Sequence, residues 1–211
     1  MLLRKIMGLA VCALIIGSAA FAVAGVPDLQ QSTAERAYAG VETVSVYSLP
    51  NGGGRAFTAA FLPGGGAADA TVTLTLRDGL GVPIVGFPFQ DMWLQSADNG
   101  MVSCGGNATA DFNTNEFGVT LWTDPLFAGG QSQALTLVMV NGDALTSNSG
   151  LQISFNSADI NGDGIVNLSD GGFFTQNLFG AYSYRSDFNY DNSVNVSDAG
   201  FMASGLGATC P

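Results

Sequence analysis

Oxygen-bearing side chains recur at the same five places in two segments of the chain. Asp159–Asp170 reads DINGDGIVNLSD and Asp187–Asp198 reads DFNYDNSVNVSD. Asp159, Asn161, Asp163, Asn167 and Asp170 therefore align with Asp187, Asn189, Asp191, Asn195 and Asp198. Calcium is a hard cation that takes roughly six to eight oxygens. A twelve-residue loop supplies them from side chains one, three, five, nine and twelve, and the seventh residue adds a backbone carbonyl. Here those carbonyls belong to Ile165 and Ser193. The sixth residue must turn sharply, and it is Gly164 in one copy and Asn192 in the other, residue types that tolerate a positive φ. The eighth is Val166 or Val194, which predicts that the loops pair back to back through a short strand. Three aspartates per loop repel one another, so two bound Ca2+ ions are expected to order the segment as well as occupy it. The plainer alternative is a pair of Asp/Asn-rich surface turns. Two copies in register, each followed by a similar apolar pattern, argue against it.

The elements that must carry these loops are readable as well. Before the first loop, Leu151–Phe155 alternates apolar and polar residues, the pattern of a strand. After the loops, Phe173, Phe174 and Leu178 match Phe201, Met202 and Leu206, at spacings that share one helical face and would close a small core. Paired EF-hand-type calcium loops, each ending in Asp and each followed by one helix without an entering helix, resemble a type I dockerin. The resemblance spans about Ser157 to Leu206. It implies docking to a cohesin-like partner, which attaches exported proteins, often polysaccharide-degrading ones, to a scaffold or cell surface. The positions matching the family's recognition residues are Leu168 and Ser169, then Val196 and Ser197. They are nearly symmetric, as in dockerins that bind in two orientations. The chain departs from the pattern at Thr175, Gln176, Ala203 and Ser204, where many dockerins carry basic residues. Gly171, Gly172, Gly200, Gly205 and Gly207 weaken the helices, each by about 1 kcal/mol relative to Ala in a helix interior.

The amino terminus carries Arg4 and Lys5, then an apolar run from Ile6 to about Ala24 that ends in the small-residue signal Ala22-Val23-Ala24. Residues 1–24 read as a cleaved export signal, with an uncleaved membrane anchor as the alternative. Removing the leader leaves Arg36, Arg55, Arg77 and Arg185 against 17 acidic residues, with no lysine and no histidine. That balance excludes the phosphate neutralisation on which nucleic-acid affinity rests, and it opposes binding to anionic membrane surfaces. Cys104 and Cys210 remain as an even pair, and in an exported protein such a pair is expected to form a disulfide. That bond would staple the C-terminal tail to the preceding domain.

Between Val41 and Phe155, short alternating runs are punctuated by Gly, Asn and Asp. Val72, Leu74 and Leu76 face one way while Thr71, Thr73 and Thr75 face the other. Further strands are expected at Val44–Tyr47, Ala56–Phe61, Ile84–Phe89, Met101–Cys104, Val119–Thr123, Leu135–Val140 and Leu151–Phe155. This density of strands without intervening helices predicts a β-sandwich. ATVTLTLRDGLGVPIVGFPF (Ala70–Phe89) and NTNEFGVTLWT (Asn113–Thr123) resemble bacterial Ig-like domains of the invasin type, which implies a spacer, adhesive or display module. The fold expected is therefore mainly β. It consists of a leader (1–24), a flexible lead-in (25–40), an Ig-like β-sandwich (41–156) and a small α-helical dockerin-like domain with two calcium loops (157–211).

The absence of histidine excludes Ser-His-Asp and Cys-His nucleophiles and histidine zinc sites, and the absence of lysine beyond the leader excludes Schiff-base chemistry and the P-loop. Glu35, Glu42, Glu116, Asp91, Asp98, Asp111 and Asp124 form no recognisable carboxylate pair of the glycosidase kind. The chain is expected to be non-catalytic. Trp93, Trp122 and Phe127 are candidates for stacking on a sugar, with Trp122 assigned instead to the core because it lies in a predicted strand. Two alternatives to docking stand beside it: a structural calcium domain in a surface or matrix protein, and a carbohydrate-binding accessory to polysaccharide degradation.

Overall fold

The computed structural model describes residues 25–106 and 108–211. The expected leader, 1–24, lies outside the described residues. Among the described residues twelve strands precede the Asp/Asn-rich repeat: β1 (Thr33–Arg36), β2 (Val44–Ser48), β3 (Ala60–Phe61), β4 (Ala67–Ala68), β5 (Val72–Thr75), β6 (Met92–Ser96), β7 (Met101–Ser103), β8 (Val119–Trp122), β9 (Ala128–Gly130), β10 (Thr136–Val140), β11 (Asp143–Ala144) and β12 (Ile153–Ser157). Two helices follow, α1 (Leu168–Leu178) and α2 (Val196–Gly205). The protein is mainly β. Its strands form sheets in the orders β1-β5-β8, β11-β10-β6, β12-β2-β3-β4 and β7-β9. Among the described residues no helix is long and apolar enough to cross a membrane.

Most sheet pairs are antiparallel, but β12 runs parallel to β2, with Ile153 opposite Val44 and Ser157 opposite Ser48. The period-two alternation of a strand sends its side chains to opposite faces, and in this sheet both faces are buried. Val44 and Val46 of β2, Ala60 of β3, and Ile153 and Phe155 of β12 enter a core shared with Val72, Leu74, Leu94, Trp122 and Val138. Tyr47, Phe61 and the following Leu49 and Ala158 point the other way, into a second core with Ile160, Val166, Phe174, Phe188 and Met202. The sheet is the shared wall between the β-rich part and the Asp/Asn-rich repeat.

Several expectations need correction here. Residues 25–40 are not a free lead-in: β1 pairs with β5 from Thr33↔Thr75 to Arg36↔Val72, and Ser32 and Ala34 are buried. Ile84–Phe89 is not a strand. A bridge at Pro83 and a single 3-10 turn at Phe89–Asp91 replace it, because Pro83 and Pro88 lack the N–H groups a ladder needs. The boundary at 156 is crossed by the second core, whose apolar surface belongs to both segments. Trp122 is fully buried and its indole N–H donates to the Ala108 carbonyl at 3.0 Å, so it is a core residue. Trp93 is half-buried on β6, opposite Met139 of β10.

Candidate metal centre

The two repeats fold into nearly superimposable hydrogen-bond frames. At position one, Asp159 accepts from the N–H of Asp163 (3.1 Å) and of Gly164 (2.9 Å). Asp187 accepts from Asp191 (3.0 Å) and Asn192 (2.9 Å) in the same way. At position twelve, Asp170 accepts from the N–H of Asn161 and Asn167, and Asp198 from Phe188, Asn189 and Asn195. The sixth residue takes the left-handed conformation in both copies, with φ of 86° at Gly164 and 67° at Asn192.

The same residues start the helices. Asn167 and Asn195 are N-caps whose side-chain oxygens accept from Ser169 and Ser197 at 2.7 Å, while Asp170 and Asp198 reach back to the cap N–H. This reciprocal box satisfies donors that a helix start would otherwise leave open. Positions nine and twelve therefore serve the helix and the loop together, which is why each helix begins inside its loop.

Asp159, Asp170, Asp187 and Asp198 are fully buried. Among the described residues the arginines bond elsewhere. Arg36, Arg55 and Arg77 donate to backbone carbonyls in the β-rich part, and Arg185 bonds Asn177 and Gln176. Burial accordingly pushes the carboxyls of Asp159, Asp187 and Asp198 above the usual carboxylate range. The neighbouring acids Asp170 and Asp163 add to the effect at Asp159, and Asp187 adds to it at Asp198. The Tyr182 hydroxyl, donating to Asp187 at 2.9 Å, works in the opposite direction there. Buried anions without a counter-charge are costly. In the second loop, carboxylate oxygens of Asp187, Asp191 and Asp198 come within 4.8 Å of one another. Asp163 of the first loop stands exposed.

The donor set is all oxygen, the three carboxylates of the second loop converge, and the arginines of the described residues bond elsewhere. These residues fit a hard divalent cation, with side chains of Asp159, Asn161, Asp163, Asn167 and Asp170 in one loop and Asp187, Asn189, Asp191, Asn195 and Asp198 in the other. Ile165 and Ser193 lie at the carbonyl position of each. Loop-to-loop pairing at position eight does not occur as expected. Val166 donates its N–H to Ala208 (2.8 Å), and its carbonyl accepts from Gly207 (2.9 Å), so the C-terminal tail takes the place predicted for Val194. The two helices do not close a core alone either. Phe174 stacks on Phe188, which meets Tyr47 of β2, while Phe201 packs edge-on to Tyr47 and Phe61. Leu206, expected inside, lies past the end of α2 and is exposed.

Sequence reasoning missed the residues beneath the loops. An ideal Cβ on Gly129 would lie 1.9 Å from the Asp159 Oδ2, so β9 must be bare there for the carboxylate to pass. Gly130 donates its N–H to the Asp159 carbonyl at 2.7 Å. Consecutive glycines in a strand signal such close approach. Asn156 donates to the Asp187 carbonyl from under the second loop. Cys104 and Cys210 are joined in a disulfide across 106 residues. Leu168 and Val196 are 90% and 84% exposed, and Ser169 and Ser197 are exposed beside them. Phe127 lines a concavity of about 390 Å³ with Thr109, Asp111, Asp124 and Pro211, and none of the candidate ligands lines it.

No family model matches the chain, and no curated protein does. Among solved structures, the crystal structure of the Lin-41 filamin domain aligns with 60% of this chain and 95% of its own length, at 13% identity and a TM-score of 0.30. That likeness carries no argument about fold or function.

Proposed function

We propose that this is an exported, non-catalytic calcium-binding protein, an Ig-like sandwich whose C-terminal dockerin-like unit docks it to a cohesin-like partner or an extracellular assembly. The observation that carries the reading is the pair of matched loops with buried carboxylates. When bound, the ion would supply positive charge that no residue of either loop carries. The chain's own residues do the rest. Asp170 and Asp198 couple each loop to its helix through the capping box, so a fixed loop fixes the first turn of the helix. That turn presents Leu168 and Ser169 on one repeat and Val196 and Ser197 on the other. Two large apolar side chains left in solvent at equivalent positions support a partner surface. So does a shallow concavity of about 310 Å³ along α2, lined by Ser197, Gly200, Phe201 and Ser204.

The shared core favours a second reading, in which calcium consolidates a surface or matrix protein and no cohesin is involved. The test takes two steps. Calcium titration of the mature chain should give two sites, with Asp159→Ala and Asp187→Ala each removing one. Unchanged stoichiometry in either variant would take that residue out of the site. Capture from the secreted fraction, with calcium and then with chelator, should retain a partner only with metal and lose it with Leu168→Asp and Val196→Asp together. Two calcium sites with no metal-dependent partner select the structural reading.

A further inference from the structure

The C-terminal tail is one strand of a ribbon whose other strand is the first calcium loop. Gly207 donates to the Val166 carbonyl, Val166 to Ala208 and Cys210 to Gly164, all within 2.9 Å, and Ile165 bridges Thr209. Positions six to eight of the loop are therefore held from one side by residues 207–210. From the other side, β7 and β9 hold it. Gly129 and Gly130 lie against Asp159, and an ideal Cβ on Gly162 would lie 3.0 Å from the Val102 side chain. Cys104 directly follows β7, and its bond to Cys210 ties the two sides together around the loop. The second loop is held differently. Its Tyr190 carbonyl accepts from Gly64 and Gly65, Tyr182 reaches Asp187, and no residue of the tail pairs with it in these bonds.

The geometry points to redox control of one calcium site out of two: the Cys104–Cys210 bond preorganises the first loop, and its reduction weakens calcium there while leaving the second loop unchanged. The inference rests on the calcium reading proposed above. The reductant is a dithiol. One of its thiolates attacks a sulfur of the bond, the S–S bond breaks, and its second thiol displaces the mixed disulfide. Two electrons and two protons pass to Cys104 and Cys210, which become thiols as the reductant becomes a cyclic disulfide. Linkage makes the effect reciprocal: the factor by which reduction lowers calcium affinity is the factor by which calcium opposes reduction at equilibrium.

The experiment uses the full mature chain, oxidised or equilibrated with a dithiol, together with a Cys104→Ser/Cys210→Ser variant, each titrated with calcium. Oxidised protein should show two sites. Reduced protein and the double variant should show one site weakened roughly tenfold, within the ~5–150-fold span usual for coupled sites, and one unmoved. Asp159→Asn should remove the weakened site and Asp187→Asn the unmoved one. In the reverse direction, calcium should shift the dithiol equilibrium toward the bond in the wild type and in Asp187→Asn, but not in Asp159→Asn. Equal first-loop affinity in both redox forms overturns the inference, and so does an equal loss at both loops, which would mark general loosening. Failure of the oxidised protein to bind calcium at all would instead remove the calcium reading beneath it.

Discussion

Replacing Gly129 with alanine adds one methyl group to β9 at a place where the nearest obstacle is a proposed calcium ligand. The new Cβ would stand 1.9 Å from Asp159 Oδ2, 2.6 Å from Cγ and 3.1 Å from Cβ, whereas real contacts essentially never fall below 3.0 Å. The backbone at Gly129 is not left-handed, so alanine is strained there only by the collision. Asp159 is fully buried and held by the N–H groups of Asp163 and Gly164, so it has no open space to retreat into. Overpacking of this kind costs about 1–3 kcal/mol. If the carboxylate moves to relieve it, that cost falls on calcium affinity, and 1.4 kcal/mol is a factor of ten, so the first site should weaken by about five- to 150-fold. Isothermal calcium titration of Gly129→Ala should resolve one weakened and one unchanged site. Far-ultraviolet circular dichroism should show the sheets intact. Two sites of undiminished affinity would mean that Asp159 does not bind the ion through the atom facing Gly129, and the reasoning would fall.

Three further outcomes follow from the same geometry. Asp159, Asp187 and Asp198 have folded-state pKa values above their unfolded ones because of burial. Their contribution to stability is therefore full below the unfolded value near ~4 and is lost as pH rises through the raised folded values. Chelated protein should lose urea resistance from this source as pH rises above about 4, calcium should restore it, and a triple Asp→Asn variant should lack the trend. Gly205→Ala should destabilise by about 1 kcal/mol despite better helix propensity, because its Cβ would meet Leu49 at 2.8 Å and Ala158 at 2.9 Å; a higher urea midpoint would refute the close packing of α2 on the sheet. Residues 157–211 expressed alone should not fold cooperatively even in calcium, since Tyr47, Leu49, Phe61 and Cys104 would be missing; a sharp calcium-dependent unfolding transition would show that the unit stands alone.

The loop geometry was legible in the sequence because its constraints are local. Side chains at fixed offsets within twelve residues meet wherever the chain turns at Gly164 and Asn192, and the capping boxes need only Asn167 with Asp170 and Asn195 with Asp198. The mainly β character and most strands from Val44 to Phe155 were legible from alternation. What was hidden is long-range. VSVYS at Val44–Ser48 reads as an alternating, half-exposed strand, yet Ser45 bonds Tyr184 at 2.9 Å and Tyr47 lies under α2. Serine marks a second buried face here, and alternation cannot distinguish that face from solvent. Composition alone predicts a flexible segment over residues 25–40, although Ala34 lies inward on β1. The role expected of Val194 went to the tail, because a strand partner is chosen by tertiary proximity that no local pattern encodes.

The two repeats can be compared with each other, and where they differ is as informative as where they agree. They are identical in residue type at all five side-chain ligand positions, and alike at the exposed pairs Leu168-Ser169 and Val196-Ser197. They diverge where each touches something different. Position four is Gly162 in one copy, facing Val102, and Tyr190 in the other, where the ring meets Tyr184 edge-on and the carbonyl receives Gly64 and Gly65. Both residues keep a positive φ, 71° and 55°, so the loop's turn is preserved even at a bulky side chain that disfavours it. Leu178 is partly buried and Leu206 is not, since only the first helix continues over the linker that carries Tyr184. A sheet has no twofold symmetry to offer the two repeats, so their packing faces must differ. The copies also share valine at position eight and the apolar residues Phe173/Phe201 and Leu178/Leu206. Full identity at the five oxygen positions, beside divergence at position four, is what the proposed ion would require of both loops.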